Sequence, residues 1–421
     1  MRTLIVDAAV VGGGSAGMAA ALRLRGAGRS VAIVEREPFL GGILQQCIHP
    51  GFGLHRFGED LTGPEYAERF AGPVRGSGID VFLDTTVMEI GKADGGHRLT
   101  SCSRRHGVVA IEARSVVLAM GCRERNRGNV AIAGTRPAGV FTAGLAQRLV
   151  NIEGYVPGRR VVVVGSGDIG LIMARRLTLV GCEVLAVVEI QPYPSGIVRN
   201  IVQCLNDFGI PLHLGHVVTR IEGRERVEAV EIAPLAGGRP DLSRAFRLAC
   251  DTVLLSVGLV PENELSRAAG VAINDATGGP FVDADLQTGV PGIFACGNVL
   301  HVHDLVDFVT EEAERCGDSA AAFLAAEGGT VAGAGPKVLP GANIRYVVPN
   351  SWQPGRPNVL YCRPLVVKNG ATIAIRVDGR EIRRRRLAHV QPSEMIRVGL
   401  DSADLPEPVP GQPNVLEVSL A

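Results

Sequence analysis

The chain has no net charge, because 43 basic residues balance 43 acidic ones. That excludes the basic footprint of a nucleic-acid-binding domain. The one local excess, Arg383 to Arg386, reads as a solvated strand edge or turn, with an acidic partner surface as the alternative. The nine cysteines (47, 102, 122, 182, 204, 250, 296, 316 and 362) include no C-x-x-C pair. This excludes a zinc ribbon or disulfide framework and suits reduced thiols in a cytoplasm, the expected location. Long apolar runs are missing too: Asp7, Gly12, Gly13, Gly14 and Gly17 interrupt residues 4–22. Strand, turn and buried helix are expected there, and no integral membrane segment. The sequence starts on a strand, so no cleavable signal peptide is expected.

Glycine, by contrast, is abundant, at 54 residues, as repeated tight strand-to-helix turns require. Two copies of one fingerprint use it: Gly12-x-Gly14-x-x-Gly17 and Gly165-x-Gly167-x-x-Gly170. Each follows an apolar strand and opens a helical run, Ser15 and Ala16 beginning the first. About 20 residues further on, the next strand ends in a carboxylate, Glu35 and Glu189. In such a unit the first glycine makes the turn, the second admits a pyrophosphate and the third lets the helix pack against the strand. The helix N-terminus meets the phosphates with unpaired N–H groups and a partial positive charge. The terminal carboxylate accepts ribose hydroxyls and repels a 2′-phosphate. No arginine follows Glu189 in Ile190 to Tyr193, so NAD is expected over NADP at the second copy. Two dinucleotides in one chain imply electron transfer between them.

The rest of the pattern is α/β: two Rossmann-like dinucleotide-binding domains and a small C-terminal all-β domain. In the first unit, strands are expected at 5–11, 31–35, 80–90, 98–103, 108–112 and 115–121, with helices at 15–26 and 64–70. Residues 126–158 read as a loop-rich connection with a helix at 144–152. The plan repeats from 159, with a helix ending near 179, a strand to 189, a helix at 197–208 and strands at 217–222, 227–232 and 251–258. A helix is expected at 305–325 and a Gly/Ala/Pro-rich linker at 327–336. The tail, 337–421, alternates or is β-branched at 345–348, 361–367, 372–377 and 394–398, as small β domains do.

This arrangement resembles the pyridine nucleotide–disulfide oxidoreductases, two-dinucleotide-binding-domain flavoproteins, over roughly residues 1–330. The resemblance implies FAD at Gly12, Gly14, Ser15, Ala16, Gly17, Glu35 and Gly42, and NAD at Gly165, Gly167, Gly170 and Glu189. Gly121 and Gly258 match the glycines that end the two closing strands. Gly297-Asn298 matches a second flavin motif, usually Gly-Asp. An amide still hydrogen-bonds a hydroxyl or phosphate, so FAD binding is expected to survive the change. The family layout inserts the NAD domain (159–258) into an FAD domain made of 1–125 and 259–330.

The redox loop departs from that family. Aligned on Gly41-Gly42, its two cysteines would fall at Leu44 and His49, and only Cys47 lies between them. A lone thiol cannot form the intramolecular dithiol relay. The loop from Gly42 to His55 instead resembles a branch of flavoproteins paired with a glycerol-3-phosphate dehydrogenase-like flavoprotein, which implies such a partner.

Cys47 and His49 are the candidate catalytic residues, because the family places chemistry beside the isoalloxazine in this loop. The alternatives are a thiol packed on flavin beside a structural histidine, a reactive thiolate, and a proton relay through His49 or His55. No complete metal-ligand set accompanies them. A helix N-terminus near residue 305 is placed to stabilise charge at N1 of reduced flavin. Asp304 is expected to cap that helix.

Three functions follow from these residues. One is an FAD-dependent oxidoreductase exchanging hydride with NAD(H) and passing electrons to a partner flavoprotein or small-molecule acceptor. The others are a stand-alone NADH oxidase or peroxidase using Cys47, and a flavin-bearing docking subunit with little activity of its own. A homo-oligomer is left open.

Overall fold

The computed structural model describes residues 2–326, 335–409 and 412–421. Most of the expected linker, residues 327–334, lies outside them. The chain divides into two compact units, Met1–Cys122 with Pro261–Ala421, and Arg123–Val260.

The first unit is built on a seven-stranded sheet. Its strands run in the order Asp80–Phe82, Val31–Val34, Arg2–Val11, Gly107–Leu118, Gly96–Ser103 and Thr85–Ala93, with Ile293–Ala295 also pairing with Gly107–Leu118. The first four strands are parallel, and the last two form an antiparallel excursion. A central parallel strand is covered on both faces and therefore apolar throughout: Ala8, Ala9 and Val10 are fully buried. Two departures from the sequence reading have one cause. The expected strands at 108–112 and 115–121 are a single strand, Gly107–Leu118, because the long strand Arg2–Val11 pairs along it from Val109 to Leu118. The expected strand at 80–90 breaks at Leu83 and Asp84, where Asp84 has φ +49°, and its halves pair with different neighbours.

Helix Ser15–Gly26 packs against helix Val306–Ala325 at small residues. A Cβ on Gly317 would sit 2.6 Å from the Ala20 carbonyl oxygen. Helix Gly63–Gly76 starts with a reciprocal Thr62/Glu65 capping box.

The C-terminal residues of this unit form two antiparallel-rich sheets around their own apolar core of Trp352, Leu360, Ile373, Ile375, Val418 and Leu420. One has the order Val338–Pro340, Leu416–Leu420, Lys368–Val377, Arg380–Val390, and the other Ile344–Val348, Asn358–Pro364, Ile396–Leu400. Arg383 to Arg386 lie in the edge strand Arg380–Val390, which is the solvated edge the charge run suggested.

The second unit carries a five-stranded parallel sheet in the order Val140–Thr142, Thr252–Leu255, Arg160–Val164, Glu183–Glu189, Leu212–Leu214. Residues 126–158 carry the expected helix, at Ala143–Asn151, and also supply the edge strand Val140–Thr142, which the sequence reading lacked. A second five-stranded sheet contains His216–Gly223 and Val227–Ala236. Among the described residues no helix is long and apolar enough to cross a membrane, which says nothing of a β-barrel.

Candidate functional site: two nucleotide cradles

In the first unit three glycine turns converge at the C-terminal ends of the parallel strands. Gly12 to Gly14 lead from strand Arg2–Val11 into helix Ser15–Gly26, whose N-cap is Gly14 with no side-chain cap. Its first N–H groups are therefore left for an anion. A Cβ on Gly17 would lie 1.8 Å from the Gly12 carbonyl oxygen, so helix and strand approach as the third glycine demands, whereas a Cβ on Gly14 would meet nothing within 4 Å. The open side of Gly14 is where a pyrophosphate fits. Gly42 (φ +55°) comes in from the side, its would-be Cβ 3.2 Å from Gly14 Cα. Gly297 (φ +72°) arrives from the other half of the unit, with its would-be Cβ 2.9 Å from Ala16 Cβ. These residues fit the pyrophosphate and ribityl portions of FAD. Gly121 (φ +74°) follows the closing strand and accepts the Glu262 N–H through its carbonyl.

The side chains around this cradle are committed to it. Glu35 is buried and accepts the N–H groups of Gly13 at 2.6 Å and Glu37 at 2.8 Å. Burial pushes its carboxyl above the usual range despite those bonds. Asn298 accepts the His303 N–H at 2.9 Å and directs its amide to the Cys122 sulfur at 3.6 Å, so it shapes its own turn.

Glu312, on helix Val306–Ala325, accepts the Gly297 N–H at 2.7 Å and bonds His301 Nε2 at 2.8 Å and His303 Nε2 at 3.2 Å. Burial first, then the neighbouring His303, pushes His301 down to about 4. Burial opposes the charge on Glu312 as well, yet the two imidazoles hold its carboxyl well below the usual range. Sequence reasoning missed Glu312. The only trace was His301-x-His303 upstream of an acidic helical pair.

Asp304 does not cap the helix. The N-cap is Leu305, without a side-chain bond, and Asp304 instead receives Arg363 Nη1 on both oxygens at 2.9 Å and the Met395 N–H. The competing partner is a guanidinium of the β domain, against which a single backbone N–H is the weaker attraction.

The same helix pins the loop that carries Cys47 and His49. Asp307 accepts the N–H groups of Gly53 and Arg56, Arg56 pairs with Glu314, and Tyr66 bonds Thr310. Cys47 closes the short helix Gly42–Gln46, its thiol directed to the Ile43 carbonyl at 3.3 Å. Burial pushes that thiol up to about 12, so it is protonated at neutral pH. His49 Nδ1 lies 2.9 Å from the Pro50 carbonyl oxygen, and its ring packs on Phe52. His55 is exposed and stacks on Phe308. None of the nine cysteines is in a disulfide.

The second unit repeats the cradle. Gly167 is the uncapped N-cap of helix Asp168–Leu179, and Gly165 (φ +92°) turns past the strand Arg160–Val164. A Cβ on Gly170 would lie 2.7 Å from Ser256 Cβ. Asp168, in the first turn, would compete with a phosphate. Its carboxylate instead accepts the Ile197 N–H and the Asn200 amide. Glu189 ends its strand, buried, receiving the Ser166 N–H and hydroxyl, the Ser195 hydroxyl and the Gln191 N–H. Gly258 (φ +98°) accepts the Arg125 N–H. These residues fit a second dinucleotide.

Known proteins share this arrangement. Among solved structures, the thioredoxin reductase of T. acidophilum superposes with a TM-score of 0.63 at 22% identity, covering 76% of this chain and 98% of that one. The chain is 27% identical to hydrogen cyanide synthase subunit HcnB of Pseudomonas protegens, over 69% of its own length and 65% of the relative's. It is 29% identical to an NAD(P)H sulfur oxidoreductase (CoA-dependent) of Pyrococcus abyssi, over 70% of this chain and 63% of that one. The chain thus spans a little under two thirds of the length of these curated relatives. The pyridine nucleotide-disulphide oxidoreductase profile matches residues 6–320. With both cradles inside that match, the chain belongs to the pyridine nucleotide-disulphide oxidoreductase family, whose nucleotides are FAD and NAD(P)H.

Proposed function

We propose that the chain is an FAD-dependent oxidoreductase that takes hydride from NADH and passes the electrons to a partner flavoprotein rather than to a disulfide of its own. The observation that carries this reading is the loop beside the flavin cradle, where one thiol, Cys47, directed to the Ile43 carbonyl, stands in place of a redox pair. FAD, held at Gly12, Gly14, Gly17 and Gly297, would supply the hydride-accepting and electron-releasing chemistry. The chain's residues bind and orient. The helix ends at Gly14 and Gly167 hold the two pyrophosphates, Glu35 and Glu189 face the ribose positions, and Asp307 fixes the loop around Cys47 and His49.

NADH is favoured over NADPH by the buried carboxylate of Glu189. A partner is supported by two observations. Ile43, Ile48 and Leu54 expose large apolar side chains on the loop that carries Cys47. One relative is itself named as a subunit of a synthase. The partner best matched to the loop sequence is a glycerol-3-phosphate dehydrogenase-like flavoprotein. The rival, an oxidase or peroxidase working through Cys47, needs a thiolate, which the half-buried thiol, pushed up to about 12, disfavours at neutral pH.

Anaerobic titration of the purified yellow protein separates the readings. NADH is expected to bleach the flavin stoichiometrically, and more readily than NADPH, in both the wild type and Cys47→Ser. Turnover with oxygen or peroxide is expected to be slow in both, and an artificial dye to be reduced rapidly. Loss of turnover confined to Cys47→Ser would establish the rival. A flavin that NADH does not bleach would leave only a docking role.

A further inference from the structure

The cluster at Glu312 holds more coordinating capacity than its hydrogen bonds use. The side chains of His301, His303 and Glu312 are wholly buried. The imidazole rings lie 4.1 Å apart, and one ligating atom from each of the three residues falls within 4.8 Å of the others. Both Nε2 atoms reach the same carboxylate, which leaves one nitrogen per ring. Among the described residues both Nδ1 atoms are buried without a hydrogen-bond partner. The Tyr361 ring is 5.5 Å from His301 and 5.4 Å from His303. Orphaned polar atoms in a dry interior are costly, and two of them in one cluster need a common explanation.

Charge points the same way. Glu312 brings a carboxylate into a wholly buried cluster. Arg363, the guanidinium in this part of the interior, is committed to Asp304. A buried carboxylate wants a cation close by. Two imidazoles and a carboxylate form a borderline-soft donor set that suits a divalent transition metal and suits magnesium or calcium poorly.

We propose that His301, His303 and Glu312 bind one divalent transition-metal ion, zinc being the best match, with an imidazole nitrogen from each histidine and a carboxylate oxygen as ligands. Complete burial makes this a closed, structural site. It ties the segment after the Gly297 turn to helix Val306–Ala325, beside the Tyr361 ring. The site is independent of the electron acceptor, so it stands or falls apart from the reading above.

The test is elemental analysis of the full chain, produced with zinc in the medium and purified without a metal-affinity column or chelator. Bound flavin in the same sample reports the folded fraction. The wild type is expected to hold about one zinc per chain, and His301→Gln and His303→Gln are expected to lose it at least about tenfold. X-ray absorption of the wild-type chain is expected to show imidazole back-scattering, a readout that survives even if the variants fail to fold. The proposal is overturned by a flavin-loaded wild type without metal, by variants that keep the metal, or by a first shell lacking imidazole. A water bridging the orphaned nitrogens would give the first of these results.

Discussion

Glu312 accepts the N–H of Gly297 at 2.7 Å, so the turn that completes the flavin cradle hangs from a carboxylate one element away. Replacing Glu312 with alanine leaves Gly297 without its acceptor and two buried imidazoles without theirs. The expected loss is about 3–5 kcal/mol, the cost of breaking a buried charged network by removing one partner. Flavin should dissociate at lower urea than in the wild type. Parallel urea titrations, followed by flavin fluorescence and by far-UV circular dichroism, check this. The two transitions are expected to separate, flavin leaving first.

Arg363 holds Asp304 and the Val302 carbonyl, the latter at 2.7 Å, and so fastens the β domain to the segment after the second flavin motif. Arg363→Met keeps the stem but leaves Asp304, whose side chain is 27% exposed, without its cation. Arg363→Lys keeps the charge but loses the planar fork. Methionine is expected to cost about 1–3 kcal/mol, the loss of charge-assisted hydrogen bonds, and lysine roughly half of that. Chemical denaturation gives the ranking, which a merely packing role for Arg363 would reverse, since methionine packs better than lysine.

Gly14 and Gly17 belong to the same fingerprint but should respond differently to alanine. At Gly17 a methyl would sit 1.8 Å from the Gly12 carbonyl oxygen, so Gly17→Ala is expected to disrupt the strand–helix contact and yield little folded protein. At Gly14 a methyl meets no atom within 4 Å and projects into the space assigned to the pyrophosphate. Gly14→Ala should therefore cost the apoprotein at most about 1 kcal/mol, the loss of a better N-cap residue. Its affinity for FAD should fall about tenfold or more. Isothermal titration of apoprotein with FAD checks this, and undiminished affinity would remove the pyrophosphate from Gly14.

The two cradles were legible because their determinants are local. Spacing within about 25 residues dictates the turn, the close approach and the terminal carboxylate, and both copies fold as their glycines require. What was not legible depends on pairings between distant segments. Nothing near residue 304 says that Arg363 will claim its carboxylate from a different domain, so the cap expectation failed. Strand Val140–Thr142 is three residues long and exists because it pairs with Thr252–Leu255 far along the chain. Glu312 looked like any helical glutamate until folding placed Gly297 and two histidines around it.

Asp283 offers a pH-dependent test away from both cradles. Its Oδ1 accepts the N–H groups of Asp285 and Gln287, each at 2.9 Å. Burial, with the like charge of Asp285 adding and Arg356 opposing, pushes its carboxyl up to about 6. The folded pKa is therefore above the unfolded value of about 3.9. Such a group favours the folded state below the unfolded pKa, and that contribution disappears as pH rises through about 6. Asparagine stays neutral and keeps the oxygen that accepts both N–H groups. Asp283→Asn should thus match the wild type at about pH 4 and exceed it in Tm by about 2 °C at about pH 8. Thermal melts across that range decide it. A gap that does not change with pH would mean the carboxyl titrates near its ordinary value, with the two backbone N–H groups outweighing burial.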